Sequence, residues 1–257
     1  MKRIQEIMEK NLGNSTSQHS NKTLAEMAVE DFNKLEGSQT GYDCPICRNK
    51  GQVAFLQDGE DLYAPCECIH IRRALKLQNQ SGIEILLNKY RFDNYEATEP
   101  WQRYTVEKAK EFAEKKDGWF FIGGKTGTGK THICTAIVDK LLKDRVACKY
   151  MMWKDEARTL KAKVNDPEYT SLIKPLKEAK CLYIDDFLQD GATTGSMNLA
   201  FEILNARYNS GLMTIISSEM TIQDILEARE AVGGRIYEMA KNYTIQIQNG
   251  KNYRLKG

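Results

Sequence analysis

A glycine-rich loop between a short apolar run and an amphipathic stretch limits the folds open to this 257-residue chain more than any other feature. The loop reads GKTGTGKT over residues 124–131 and fits G-x-x-x-x-G-K-[S/T] at every fixed position. It follows the run WFFIGG (119–124) and precedes KTHICTAIVDKLL (130–142). A strand, a phosphate-binding loop and a helix in this order predict an α/β nucleotide-binding fold.

The residue types in the loop match the chemistry of phosphate binding. Glycines let backbone N–H groups curl around phosphates, the Lys130 ammonium neutralises β/γ charge, and the Thr131 hydroxyl reaches Mg²⁺. A chance glycine-rich turn is the alternative, but the strand and helix on either side favour nucleotide binding. The predicted nucleotide-binding residues are Gly124, Lys125, Thr126, Gly127, Thr128, Gly129, Lys130, Thr131 and His132.

A second apolar run, CLYIDDF (181–187), ends in two carboxylates. Asp185 is the predicted Mg²⁺ ligand alongside Thr131, and Asp186 is predicted to orient or deprotonate an attacking water. The alternative is a strand that simply ends in a solvated polar turn. A phosphate-binding loop about 55 residues upstream weakens this alternative. The chain is therefore predicted to bind and hydrolyse ATP.

Residues from about 91 onward alternate between apolar runs and helical stretches. Near-continuous apolar strands separated by helices predict a parallel sheet covered on both faces. The predicted strands are 119–124, 146–153, 181–187, 212–220 and 243–248, and the predicted helices lie near 130–143, 154–163 and 196–210.

Two further features of this region fit an ATPase. The run 212–220 ends in Ser217, Ser218 and Glu219, at the sheet edge where a γ-phosphate would lie. Arg235 follows two glycines, which predicts a turn and then a helix start. There it would serve as a finger that reaches a neighbouring subunit's γ-phosphate, or it would be a solvated surface arginine.

Composition divides the chain into three predicted domains: a polar segment over 1–40, a cysteine-rich module over 41–90, and the ATPase domain over 91–257. Within the first, Leu24, Met27, Ala28, Phe32 and Leu35 recur at helical spacing and predict an amphipathic helix near 22–36. The helix either packs on its own domain or docks its apolar stripe onto a partner. The sequence leaves both open.

The cysteine-rich module carries a pair spaced C-x-x-C and a pair spaced C-x-C. The four thiols, Cys44, Cys47, Cys66 and Cys68, are the right number for tetrahedral Zn²⁺, with His70 as an alternative to Cys68. Four buried free cysteines are the other interpretation. Because the remaining cysteines are scattered, the clustering favours zinc. Four thiolates leave no open metal position, so the site is expected to be structural.

The net charge of +2 places no general positive field on the chain, so contact with nucleic acid requires a local patch. The first residues lack the apolar core of a signal peptide, and no run of about 18 apolar residues predicts a membrane span. A reducing, cytoplasmic location is therefore expected, where thiols are free to bind metal.

The motifs taken together resemble the AAA+ ATPases that load bacterial and phage replicative helicases, the DnaC/DnaI type. The matching segments cover most of 91–257 in the family's order. They are GGKTGTGKTH, LYIDDF, FEILNARYNSGLMTIISSEM, GGRIYEMA and GKNYRLKG. The segment 90–104 is also similar to the family's entry segment, which borders the adenine pocket.

The resemblance implies roles for further residues. Lys130, Thr131 and Asp185 match the family's phosphate and metal residues, and Asp186 stands where wider AAA+ proteins usually have glutamate. Glu219 lies where the family's sensor residue, often asparagine, is expected. Three arginines also match: Arg235 as a finger, Arg254 as a sensor within the subunit, and Arg207 at a family position, with simple structural support as the other interpretation of Arg207.

The resemblance also implies partners. An ATPase stimulated by single-stranded DNA would self-associate through the ATPase domain, while a zinc-containing N-terminal module grips a hexameric replicative helicase. The alternatives are a transposase-helper ATPase, a zinc-bearing adaptor with weak ATPase activity, and a small-molecule kinase. Helper ATPases generally lack a cysteine-rich module, so residues 44–68 favour the loader.

Overall fold

The computed structural model describes residues 22–80, 83–248 and 253. The chain divides into two compact units, one that ends at Cys66 and one that begins at Glu67. The domain boundaries expected near 40 and 90 stay predictions. Among the described residues no helix is both long and apolar enough to cross a bilayer.

The described part of the first unit contains one helix and one antiparallel hairpin. Helix α1 spans Leu24–Lys34, and strands β1 (Gln52–Gln57) and β2 (Glu60–Pro65) form the hairpin. Asp58 and Gly59 connect the strands with φ values of 55° and 86°. Two successive residues with positive φ match the twist of antiparallel strands, which explains the Asp-Gly sequence at this turn.

Helix α1 is held to the hairpin by polar and aromatic contacts. The Asn33 side chain pairs with both backbone groups of Ala54, donating to its carbonyl (2.9 Å) and accepting from its N–H (3.1 Å). The rings of Phe32 and Tyr63 meet edge to face at 4.9 Å. None of the helix residues is fully buried, so most of the predicted apolar stripe stays on the surface.

The second unit is an α/β fold around a five-stranded parallel sheet. Its strand order is β4-β5-β6-β3-β7. The strands are β3 (Trp119–Gly124), β4 (Cys148–Met152), β5 (Cys181–Phe187), β6 (Met213–Ser218) and β7 (Thr244–Ile247). The predicted fold class is therefore confirmed, and the predicted bounds of β3 and β5 match the observed ones.

Helices connect and cover the strands. The described helices of this unit are α2 (Cys68–Gln80), α3 (Ile83–Lys89), α4 (Pro100–Lys115), α5 (Lys130–Lys143), α6 (Trp153–Ala162), α7 (Tyr169–Glu178), α8 (Thr194–Asn209), α9 (Ile222–Ala228) and α10 (Glu230–Met239), with a 3-10 turn at Phe92–Asn94. Alternate residues of β3 enter two separate cores: Trp119 and Phe121 pack in one, and Phe120 and Ile122 pack in the other. This division explains why β3 is apolar at successive positions.

The carboxyl ends of the parallel strands bring the predicted site residues to one edge of the sheet. β3 ends at the glycine-rich loop, β5 ends just after Asp185 and Asp186, and β6 ends at Ser218. β6 lies between β3 and β5, so its last residues separate the loop from the acidic pair. Ligands of open α/β sheets bind at this kind of edge.

Candidate functional site

The glycine-rich loop is shaped by glycines that other residues could not replace. Gly124, Gly127 and Gly129 have φ values of 125°, 74° and 89°. A Cβ atom at Gly124 would lie 2.2 Å from the carbonyl oxygen of Ile247. Gly129 caps the amino end of α5, so the loop directs backbone N–H groups and the positive end of the helix dipole toward one point.

Lys130 is held inside this loop. Its side chain is 5% exposed, and its ammonium donates to the carbonyl oxygens of Gly124 and Lys125, both at 2.8 Å. A buried cation next to convergent N–H groups is an arrangement that attracts phosphate.

Asp185 receives hydrogen bonds from four side chains. Its Oδ1 accepts from Ser217 Oγ (2.5 Å), the Tyr183 hydroxyl (2.6 Å) and Thr131 Oγ1 (3.3 Å). Its Oδ2 accepts from the Tyr150 hydroxyl (3.2 Å). A carboxylate has about four lone-pair positions, so this one is held in a fixed orientation. The adjacent oxygens of Thr131 and Asp185 are of the kind that Mg²⁺ takes as ligands, directly or through water.

Tyr150 and Tyr183 are the site residues that sequence reasoning missed. They face each other in the register of β4 and β5, with ring centroids 5.3 Å apart. Burial and the neighbouring Asp185 raise the pKa of both hydroxyls above the usual value, so both remain donors. A tyrosine within each of two neighbouring, largely buried strands was the available signal, because a buried hydroxyl needs a partner.

Asp186 adopts a left-handed backbone conformation with φ of 52°. It lies in an irregularity of the β5–β6 pairing between Ile184 and Phe187, and its N–H donates to Ser217 Oγ at 3.0 Å. Aspartate tolerates this conformation better than most residues. The second predicted acid is therefore placed next to the first by a local distortion of the strand.

Residues 90–95, which precede the first strand of the parallel sheet, cover one side of the glycine-rich loop. His132 Nε2 lies 3.0 Å from the Arg91 carbonyl oxygen, and the His132 ring packs against Tyr90 and Tyr95 at 4.7 and 4.9 Å. Burial lowers the pKa of His132 and raises the pKa of Tyr95 to about 12. The Tyr95 ring lies 3.2 Å from the point where a Cβ of Gly129 would be. His132 thus fastens this segment to α5.

Three further residues are predicted from the sequence to be catalytic: Glu219, Arg235 and Arg254. Glu219 is exposed just beyond β6. Arg254 lies outside the described residues. Arg235 donates to Asn205 Oδ1 (3.0 Å), and its guanidinium stacks on Phe201 at 4.8 Å.

The prediction that Arg235 follows a Gly-Gly turn at the start of a helix is wrong. Gly233 and Gly234 lie inside α10, which begins at Glu230. A Cβ at Gly233 would lie 2.7 Å from the Leu226 Cα. The glycine therefore allows close approach between α9 and α10 instead of forming a turn.

Arg207 is fully buried and acts as a backbone clamp. It donates to the carbonyl oxygens of Leu176 (2.9 Å), Ala179 (2.9 Å) and Met213, and to the Thr214 hydroxyl (2.9 Å). Burial lowers its pKa to about 10. The arginine joins the end of α7 to the start of β6, in line with the expectation that it supports structure.

The four cysteines of the two sequence pairs come together. The Sγ atoms of Cys44, Cys47, Cys66 and Cys68 all lie within 4.8 Å of one another, and all four residues are buried. The Sγ atoms of Cys44 and Cys66 are 3.7 Å apart. A tetrahedral zinc with Zn–S bonds of about 2.3 Å separates its sulfurs by about 3.8 Å, so the thiols fit this ion.

The surroundings of the cluster also suit thiolate ligands. The Gly51 N–H donates to Cys47 Sγ at 3.3 Å, the kind of outer contact that orients a metal ligand. His70 is exposed and does not join the cluster that the described residues form. Of the two alternatives for the fourth ligand, the geometry favours Cys68.

The parallel sheet, the glycine-rich loop at the end of β3 and the acidic pair at the end of β5 define an AAA+ P-loop protein. Residues 69–229 match the family described as IstB-like ATP binding protein, and the chain belongs to that family.

Curated relatives and solved structures agree with this class. The phage-like element PBSX protein XkdC of Bacillus subtilis is 27% identical over 86% of this chain and 90% of its own length. The replicative helicase loader DnaC of Escherichia coli is 40% identical over 76 residues, which are 27% of this chain and 31% of DnaC. The crystal structure of DnaI matches with a TM-score of 0.54 at 20% identity, over 63% of this chain and 92% of that one, which supports the fold.

Proposed function

We propose that this protein is a Mg²⁺-dependent ATPase that binds a hexameric replicative helicase and helps to load it onto single-stranded DNA. The observation that carries the ATPase part is the contact of 3.3 Å between the Thr131 hydroxyl and the Asp185 carboxylate, beside the buried Lys130 ammonium. A cation, a hydroxyl and a carboxylate at the loop are the groups that phosphoryl transfer requires.

Each group has a defined task in this proposal. Lys130 exchanges its two carbonyl contacts for the β- and γ-phosphate oxygens of ATP. Thr131 and Asp185 would hold Mg²⁺, which would neutralise charge on the phosphates. Asp186 accepts the proton of the water that attacks the γ-phosphorus, while the bond to the bridging oxygen breaks and ADP leaves. A trans arginine finger, Arg235, would complete the site in an assembly.

The helicase-loading part rests on the relatives. The match to the named helicase loader DnaC is 40% identical, and it is confined to 76 residues. Family membership supports ATP binding, whereas the partner and the DNA are proposed by analogy. Stimulation of the ATPase by single-stranded DNA and self-association through the ATPase domain belong to the same proposal.

The cysteine cluster and helix α1 supply the proposed docking module. Zinc held by four thiolates has no open position, so its role is to stabilise the fold around it. Three apolar side chains near α1 remain on the surface: Leu24 is 83% exposed, Met27 is 42% exposed and Leu35 is 62% exposed. An amphipathic helix with an uncovered apolar stripe is a common recognition element, and we assign it to the helicase.

A transposase-helper ATPase is the second candidate, because the matching family is described as IstB-like. That match begins at residue 69 and leaves all four cysteines of the cluster, Cys44, Cys47, Cys66 and Cys68, outside it. The cysteine cluster, which the helper ATPases of the resemblance generally lack, favours the loader.

A capture experiment tests the proposal. Immobilised protein should retain the replicative helicase of its host, and its ATP turnover should rise when single-stranded DNA is added. Leu24→Ser combined with Met27→Ser should reduce capture while turnover without helicase stays unchanged. Ile85→Ser, which alters an isoleucine that is 74% exposed in α3, is the matched control and should capture normally. A wild-type protein that does not retain the helicase would contradict the loader assignment.

A further inference from the structure

Ser217 and Ser218 are adjacent, fully buried serines with different partners. Ser218 Oγ donates to the Phe187 carbonyl (2.7 Å) and accepts from the Met220 N–H (3.1 Å), so its contacts are with backbone alone. Ser217 Oγ contacts the two acidic residues of β5 instead. Their burial is the same, at 0% exposed.

The Ser217 hydroxyl contacts both acidic residues, Asp185 and Asp186. Ser217 Oγ donates its proton to Asp185 Oδ1 at 2.5 Å and accepts the Asp186 N–H at 3.0 Å. The first bond orients a carboxylate, and the second fixes a backbone. A displacement of Ser217 would therefore move both acids together.

The pairing of β5 with β6 explains this double contact. Ile184 pairs with Ile216 and Phe187 pairs with Ser218, so two residues of β5 lie opposite Ser217 alone. Such a bulge takes one residue out of the regular ladder, and here that residue has φ of 52°. The Ser217 hydroxyl provides the acceptor that the ladder does not give to the Asp186 N–H.

We propose that Ser217 is a positioning residue for ATP hydrolysis, which holds the Mg²⁺-binding carboxylate of Asp185 and the bulged backbone of Asp186 in one arrangement. The inference rests on the proposed ATPase activity and assigns Ser217 a role through the two acids, with no contact to the phosphates. Tyr183 shares only one part of this role, because its hydroxyl contacts Asp185 and not the Asp186 backbone.

Amide hydrogen exchange of the nucleotide-free protein tests the arrangement without relying on turnover. In wild-type protein the Asp186 N–H should exchange slowly. Ser217→Ala should accelerate that exchange about tenfold, since a hydrogen bond of ordinary strength is lost. Ser218→Ala and Tyr183→Phe should leave exchange at Asp186 unchanged. Fast exchange at Asp186 in wild-type protein would overturn the proposal even if Ser217→Ala does not fold.

Kinetics then separate positioning from binding. Ser217→Ala should lower kcat about tenfold and raise the Mg²⁺ concentration for half-maximal rate, while KM for ATP stays within about twofold because Lys130 is untouched. Tyr183→Phe should raise the Mg²⁺ requirement with a smaller change in kcat. Ser218→Ala should change neither. Ser217→Ala kinetics equal to those of Ser218→Ala would overturn the proposal.

The proposed ATPase activity and the proposed role of Ser217 can fail separately. If wild-type protein does not hydrolyse ATP, the proposed ATPase activity is wrong, and the Mg²⁺ dependence of binding a fluorescent ATP analogue replaces turnover as the readout. An unchanged Mg²⁺ dependence of that binding in Ser217→Ala would overturn the role of Ser217. An active wild type with an unaffected Ser217→Ala variant would overturn the positioning role alone.

Discussion

Thr131 Oγ1 and Asp185 Oδ1 lie 3.3 Å apart although 54 positions separate the two residues in the sequence. The first belongs to the start of α5 and the second to the end of β5, two strands away from the glycine-rich loop. The parallel sheet brings these two residues together, because the carboxyl ends of its strands meet at one edge however far apart they are in the sequence. ATP binding and hydrolysis depend on this edge of the sheet.

Lys130→Ala should abolish binding of ATP–Mg²⁺. Lys130 is the buried cation of the loop, and its removal leaves the β- and γ-phosphates without their main counter-charge. Lys143→Ala is the matched control and should bind normally, since this lysine at the far end of α5 is 59% exposed and lies outside the loop. Titration with a fluorescent ATP analogue measures both variants. A folded Lys130→Ala protein with wild-type affinity would refute the nucleotide assignment.

Protein purified without chelator should contain one Zn²⁺ per chain. Cys66→Ser and Cys68→Ser should lose the metal, because each removes one of four convergent thiols. His70→Ala should keep it, since His70 is exposed and lies outside the cluster. Elemental analysis of the three variants gives the result. Zinc loss in His70→Ala with retention in Cys68→Ser would reverse the ligand assignment.

Arg207→Met should reduce the free energy of unfolding by about 3 kcal/mol, because buried carbonyl groups at the end of α7 and the start of β6 lose their donor. Arg158→Met is the control, with a side chain that is 80% exposed, and should change stability by less than about 0.5 kcal/mol. Urea unfolding measures both. Equal stability of the two variants would contradict the clamp.

Arg235 is predicted to act on a neighbouring subunit. Arg235→Ala and Lys130→Ala proteins should each be inactive, and their mixture should recover part of the ATPase activity, because each supplies the half of the shared site that the other lacks. Arg229→Ala is the matched control, since Arg229 stacks on the same Phe201 ring at the same 4.8 Å. It should stay active alone. A mixture that remains inactive at concentrations where the wild type assembles would exclude a finger between these subunits.

The sequence predicts the parts of this fold whose signals are local. The bounds of β3, β5 and α5 match because each is a continuous apolar or periodic run with a glycine or a charged residue at its end or just before it. Helix α7 was not predicted, since it carries Pro175, and the polar strand β2 was also missed. The β2 sequence EDLYAP shows no regular alternation of apolar and polar residues.

The side-chain contacts within the site depend instead on how neighbouring strands pair, residue by residue. The four donors on Asp185 come from α5 and three strands, and no spacing in the sequence indicates that Tyr150 lies opposite Tyr183. The bulge that places Asp186 beside Ser217 has no local signature either. The glycines before Arg235 gave a misleading signal, because close helix packing requires glycine as often as a turn does.

Helicase loading on closed circular single-stranded DNA tests the proposed function. The replicative helicase of the host, this protein and ATP–Mg²⁺ are mixed with the circle, and the helicase that stays bound to DNA after gel filtration is quantified. Wild-type protein should increase the retained helicase severalfold, and Lys130→Ala protein should not. Retention that is the same with wild-type protein, with Lys130→Ala protein and with neither would contradict the proposal that this ATPase loads the helicase.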